Sequence, residues 1–495
     1  MKNKFIITIC LLVCSMNGFS QTYSSEQVRE DIGFLKNQLI KLHPDPYKYV
    51  KKEQFDSLFE AINTHIVGRY TLRETYFTAL PLVQAIRCGH TFLIPDKRLL
   101  SKNTSYDERP KYFPLSVRLI NDRLFVARNY SAEKKINRGT EILEIDGQPI
   151  KKILENLEKI SFYNGDGINP TARKYYTVRE FRKLYYLWKG EESSFLIHYK
   201  KSEQDKPKTI KLDAQNAFFM EKMLETRYPD VDEDTTGIVS YRLVDSVQKV
   251  AMLDVRSFMY DLGSFSKGNF EGETRKIFRK LSENKIENLI LDLRGNSGGV
   301  LEYSIFLLRF FANQPFEGYK LGFKNESLQK LKQDYKKFEA YYAKEATSRL
   351  NNEFTIKSKD GYLESKYQTK QRPHDEFRFD KNVYVLMNGG TFSAAALVVS
   401  KLHNMGIGTY VGMACGGAYD GCSAAQFSKI QLPNSELEIS IPLGRIQYAV
   451  DAEKYKKNIL EPDFEVNTNV DDFLKNEDTV LKFTLNLIKN KVKVR

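Results

Sequence analysis

Apolar residues recur at helical spacing near the start of the chain. Val28, Ile32, Leu35, Leu39 and Leu42 fall three or four apart, predicting a helix that Ser25 caps and that Pro44 and Pro46 end. Phe55, Leu58, Phe59 and Ile62 predict a second helix, and residues 71–87 a third, bent at Pro81. The period then shortens to two. Residues 117–120, 124–127 and 141–145 read as short strands separated by Asn121, Asp122 and Gly139. From about residue 235, strand and helix alternate: an apolar strand at 250–255, a helix around 275–281, a buried strand at 289–293 and a helix at 301–311. That alternation predicts an α/β domain with mostly parallel strands. Between about 313 and 379 the apolar period fades into a segment rich in Lys, Glu and Tyr, read as an insertion. A strand at 383–387 resumes the pattern and a helix near 471–488 ends it.

The first twenty residues stand apart. Lys2 and Lys4 precede an apolar stretch at 5–13, and Gly18 and Ser20 precede Gln21, the pattern of a secretory signal peptide over residues 1–20. Cys14 is not preceded by the small residue a lipid-anchoring signal wants, since Val13 stands there, so cleavage near Ser20 is the expectation. No later segment is long and apolar enough to span a bilayer. The remainder divides into a helical unit over 21–105, a β-rich unit over 110–215 and an α/β domain over 235–495. With 41% apolar and 13% aromatic residues, the chain can bury a sizeable core. The net charge of +13 is interleaved with acids, a solvated-surface pattern that gives no nucleic-acid module. Export would leave Cys88, Cys415 and Cys422 in an oxidising place, where Cys415 and Cys422 are near enough in sequence for a loop disulfide. No Cys/His spacing suggests a metal.

The most informative stretch is Asn388-Gly-Gly-Thr-Phe-Ser393-Ala-Ala-Ala396, between a strand and an apolar helix. Ser393 falls where unpaired backbone N–H groups and the positive end of a helix dipole collect. Such a position stabilises an oxyanion and supports a nucleophilic hydroxyl, although serine is also a preferred helix cap. It is not the Gly-x-Ser-x-Gly elbow of the α/β-hydrolases.

Asp292-Leu-Arg-Gly-Asn296-Ser-Gly298-Gly299, followed downstream by Gly-Gly-Thr-Phe-Ser393-Ala, resembles the two hallmarks of the C-terminal processing peptidases, a family that includes tail-specific proteases and the tricorn core. Pro462-Asp463 is similar to the family's closing motif, and Gly139-Thr-Glu-Ile-Leu-Glu-Ile-Asp-Gly147 resembles a PDZ signature. The resemblance implies an α/β multidomain chain: a helical cap, a PDZ-like β-rich module and a Clp-protease/crotonase-like catalytic domain. It implies an exported serine endopeptidase acting through an acyl-enzyme on Ser393, with Gly299 and Ala394 N–H groups as the oxyanion hole. It implies no cofactor and no metal, peptide or protein substrates, and a PDZ-like module that would hold a substrate C-terminus or gate the site.

One departure bears on mechanism. Where the tail-specific branch carries the lysine of a Ser–Lys dyad, this chain has Ala418, and Lys401 on the Ser393 helix is expected at the surface. The tricorn-like branch draws a histidine base from the N-terminal unit, and Arg87-Cys-Gly-His90-Thr-Phe92 is similar to that motif. Neutral imidazole is a suitable acceptor for a serine proton near neutral pH. The acid that orients the imidazole comes, in the family, from the segment before Pro462, where Glu453 and Asp451 are the carboxylates at hand. Gly89 stands where tricorn-like chains can carry a relaying hydroxyl. The alternative reading is a peptide-binding scaffold that keeps the fold without turnover; the missing lysine favours it, while Ser393, His90 and the glycine pair oppose it.

Overall fold

The computed structural model describes residues 22–100, 110–161, 163–229, 238–259, 270–337, 340–366, 370–455, 458–492 and 494. The expected signal peptide lies outside the described residues. None of the described helices is long and apolar enough to cross a membrane.

Three helices, Ser25–Leu42, Lys52–His65 and Leu72–Ala85, make the N-terminal unit. The first is capped by Ser24, one residue earlier than expected. A capping box needs a Glu or Gln three residues on, and Gln27 supplies it for Ser24, whereas Ser25 would meet Val28. The third helix runs on through Pro81 to its end.

The β-rich unit is an antiparallel sheet in the order Lys208–Asp213, Ser194–Lys200, Glu141–Ile145, Arg123–Asn129, Leu115–Ile120. Its core is built from Leu115, Leu124, Ile142, Ile153, Phe181 and Ile197. After the helix Ile150–Ile160 the chain leaves this unit and reaches the α/β domain before returning in Phe181–Lys189. On that excursion Asp166 N–H donates to the Gly416 carbonyl, and Asn169 Nδ2 donates to the Cys415 carbonyl.

The α/β domain carries the expected sheet, in the order Val239–Asp245, Val250–Val255, Asn288–Asp292, Asn382–Met387, Thr409–Gly412, Phe464–Glu465. The first pair is antiparallel and every later pair parallel. Helices Phe270–Glu283, Leu301–Leu308 and Ala394–Asn404 bury one face with Leu253, Leu291 and Val385. Thr479–Lys489 covers the other with Val480, Leu487 and Ile488. With both faces covered, the central strands read as continuous apolar runs.

The segment at 313–379 stands in sequence between the adjacent strands Asn288–Asp292 and Asn382–Met387 and packs against the rest of the chain: Tyr319–Phe323 pairs antiparallel with Glu438–Tyr448, and Phe323, Leu328, Leu331, Leu350 and Phe354 share a core with the N-terminal helices. Two expectations are corrected. Cys415 and Cys422 are not bonded; both thiols are free and buried. Cys415 Sγ donates to the Thr391 carbonyl at 3.1 Å, while Cys422 Sγ faces the Tyr448 hydroxyl at 3.8 Å, so the two side chains serve different neighbours. Lys401 is not a surface residue. It is 3% exposed, because the Ser393 helix is enclosed on nearly every side, and its amine donates to the Ala449 carbonyl.

Candidate active site

Parallel strands deliver the site. Asp292 at the end of one strand pairs in register with Leu386 of the next, so the two glycine-bearing turns that follow emerge side by side. They are stitched together by side chains the motifs supply. Asn388 Oδ1 accepts the Gly295 and Gly390 N–H groups, and Thr391 Oγ donates to the Leu293 carbonyl. Asn296 donates through Nδ2 to the Val255 carbonyl and accepts the Gly298 N–H, while Phe392 N–H donates to the Asn296 carbonyl. Arg294 bridges Asp292 and Asp478, tying the turn to the last helix. Asp463, of the closing motif, accepts the Tyr410 N–H and holds the neighbouring strand.

Ser393 stands at the N-cap position of Ala394–Asn404, but it is not a cap. Its side chain makes no capping bond, and its backbone sits at φ 55°, ψ −121°. A non-glycine residue held there costs about 1–3 kcal/mol, a cost that clusters at sites where a side chain must be presented rather than packed. The hydroxyl instead meets His90: Nε2 to Oγ is 3.1 Å. Tyr448 hydroxyl donates to the Ser393 carbonyl and braces the turn.

His90 reaches across from the N-terminal unit. The helix Leu72–Ala85 ends, Arg87 takes a positive φ, and a turn closes from Thr91 N–H to the Cys88 carbonyl. Phe92 and Leu93 then pair with Ser440 and Ile439 of the α/β domain, which pins the histidine's position. The ring lies against Phe392 at 4.6 Å between centroids, and burial pushes His90 down to about 4, so it is neutral and able to accept a proton. Gly89 explains the absence of a relaying hydroxyl. A Cβ there would come within 2.5 Å of the Phe392 ring and 2.9 Å of the Gly165 backbone.

The two glycines of the first motif are sterically required. A Cβ on Gly298 would lie 2.6 Å from the Ser393 Cβ, and one on Gly299 would lie 2.3 Å from the Phe258 backbone; both have positive φ. Gly298 N–H is spent on Asn296, and the bridge to Phe258 uses the Gly298 carbonyl and the Val300 N–H, so Gly299 N–H stays outside that ladder. Ala394, as the first residue of its helix, has no intrahelical acceptor for its N–H.

Glu453 and Asp451 are exposed, on the short turn Ala452–Lys454 and its N-cap, and neither bonds the His90 ring. Nδ1 of that ring is enclosed without a hydrogen-bond partner. A different carboxylate stands close by. Asp166 is 2% exposed and accepts Gly89 N–H at 3.0 Å and Ala418 N–H at 3.5 Å. Burial raises its carboxyl to about 6. A carboxylate oxygen of Asp166, a ring nitrogen of His90 and the Cys88 sulfur lie within 4.8 Å of one another, the one grouping of metal-ligand type among the described residues. Burial pushes the Cys88 thiol up to about 12, and His90 Nε2 is turned to Ser393. Sequence reasoning missed Asp166. Its only local signal is the pair of flanking glycines in Gly165-Asp166-Gly167, inside a stretch assigned to the β-rich unit.

Residues 249–466 match the family described as peptidase family S41, and residues 109–223 match the PDZ domain. No curated protein matches the chain. Among solved structures, mature CPAF complexed with lactacystin is similar at a TM-score of 0.65 and 16% identity, covering 94% of this chain and 99% of that one. Mature CPAF is similar at a TM-score of 0.64 and 16% identity, over 95% and 99%. At such identity the likeness shows a shared fold.

Proposed function

We propose that this serine-type peptidase, which carries a family S41 domain and a PDZ domain, is an exported endopeptidase with Ser393 as nucleophile and His90 as general base. The 3.1 Å contact between His90 Nε2 and Ser393 Oγ, made at a strained strand-to-helix turn, carries the reading. The Ser393 oxygen attacks the scissile carbonyl as Nε2 takes its proton. The oxyanion develops against the N–H groups of Gly299 and Ala394. His90 then returns the proton to the leaving amine, and water repeats the sequence on the acyl-enzyme. Support for export comes from the charged, apolar and small-residue sections of residues 1–20. The PDZ domain favours peptide or protein substrates presented by their C-termini.

The test compares the wild-type chain with Ser393→Ala on a peptide substrate and with a fluorophosphonate probe. The wild type labels at Ser393 and turns over. The variant does neither, while its stability changes by less than about 1 kcal/mol, because the side chain it loses makes no capping bond. Undiminished turnover in Ser393→Ala removes the nucleophile assignment, and a wild type that neither labels nor cleaves leaves a peptide-binding scaffold.

A further inference from the structure

Two buried groups in the cleft have no part in the chemistry just given. One is His90 Nδ1, enclosed and without a partner. The other is the Asp166 carboxylate, fixed between two backbone N–H donors that belong to the catalytic machinery's own loops. Gly89 immediately precedes the base, and Ala418 follows Gly417, whose Cβ position lies 3.4 Å from the Ser393 nitrogen.

A buried imidazole N–H without an acceptor costs about 1–3 kcal/mol, and more once the ring becomes imidazolium. The neighbours narrow the choice of acceptor. Cys88 donates its S–H towards the Ser423 carbonyl at 3.7 Å and carries no charge. His43, whose charged form is disfavoured by burial and by nearby Lys324 and His90, accepts the Asp45 N–H on Nδ1, so its own Nε2 bears a proton and is a second donor. Asp166 alone of the three offers spare lone pairs and a negative charge. One of its oxygens is within 4.8 Å of a His90 nitrogen, and Nε2 is already committed to Ser393. Two hydrogen bonds meeting at one water span about 4.5–5 Å.

We propose that Asp166 is the positioning residue of this site, accepting the Nδ1 proton of His90 through one bridging water. The inference rests on the Ser393–His90 reading and replaces Glu453 and Asp451 in the orienting role. The carboxylate selects the tautomer with the proton on Nδ1, leaving Nε2 to receive the serine proton, and it offsets the positive charge when imidazolium forms. Lys48 lies near enough to favour the ionised form of Asp166. Asp166 lies on the excursion out of the β-rich unit and meets the loop of the base through the Gly89 N–H.

The experiment uses the full chain and the variant Asp166→Asn, which keeps the shape and an oxygen for Gly89 N–H but removes the charge. Expected is a fall in kcat of about a hundredfold or more with KM within about threefold, since misorienting a catalytic histidine costs that much or more. Glu453→Gln and Asp451→Asn are expected to stay within about twofold of wild type. A kcat for Asp166→Asn within about threefold of wild type overturns the proposal, as does a large loss in Glu453→Gln or Asp451→Asn. Should Asp166→Asn fail to fold, nitrogen-15 spectra of histidine-labelled wild type decide: a downfield Nδ1 proton on His90 is expected, and an Nε2–H tautomer overturns the assignment. His90→Ala and Ser393→Ala run alongside keep the two readings separate. If they retain turnover the base and nucleophile fall, whereas retained activity in Asp166→Asn alone sinks only the positioning role.

Discussion

Lys401 offers a test that reads the burial of its amine in stability and its distance from the chemistry in activity. Its amine is buried, donates to the Ala449 carbonyl, and lies 5.6 Å from the centre of the Phe316 ring. Burial lowers its pKa from 10.5 to about 8, with Glu317 partly opposing the shift. That difference corresponds to about 3 kcal/mol held against the charged form in the folded state. The unfolded chain binds more protons than the folded chain between about 8 and 10.5, so stability rises with pH across that window. The full penalty is present below pH 8 and relieved above 10.5. Lys401→Met keeps the aliphatic volume and removes the charge, at the cost of leaving the Ala449 carbonyl without this donor, about 1–3 kcal/mol. The net expectation near neutral pH is a variant of equal or slightly greater stability, and the increment of about 3 kcal/mol between pH 8 and 10.5 disappears. Denaturant titrations of wild type and variant, taken as a difference at each pH, cancel every other titrating group. Peptidase activity should stay within about twofold, because the amine serves Ala449 and not Ser393. Two results would refute the reasoning. A pH-independent difference in stability means the amine is not buried in this way, and a folded Lys401→Met variant that has lost its turnover makes the lysine a base after all.

His90→Ala should lower kcat by about a hundredfold or more in steady-state peptide assays, the usual worth of general-base assistance. Gly298→Ala places a Cβ 2.6 Å from that of Ser393 at a φ of 102°, so fluorophosphonate labelling of Ser393 should fall steeply and the melting temperature drop, with strain alone costing about 1–3 kcal/mol. Normal labelling in that variant would mean the two turns are not in contact.

What repeats along the chain, or is chemically peculiar, could be read from the order of residues. Helical spacing from Val28 to Leu42, the buried strand ending at Asp292, and the strand before Asn388 all follow from side chains that must face one core. The glycine motifs were legible because a Cβ at Gly298 or Gly299 would meet atoms already in place. Ser393 and His90 could be picked out because the motifs around them resemble those of a known family; by residue type alone each reads as a helix cap or a structural side chain.

Which residues far apart in the chain meet is set by packing and could not be read that way. Ser393 read equally well as a cap until its backbone angles and the His90 contact showed otherwise. Lys401 read as exposed because one helix carries no record of how many neighbours enclose it. Cys415 and Cys422 were close in sequence yet turned to different partners. Asp166 was hidden most thoroughly: its carboxylate is held by Gly89 and Ala418, and no period or motif in its own segment records contacts with such distant residues. Local patterns encode which face is buried, but the chemistry of a buried polar atom depends on the partner that the fold brings to it.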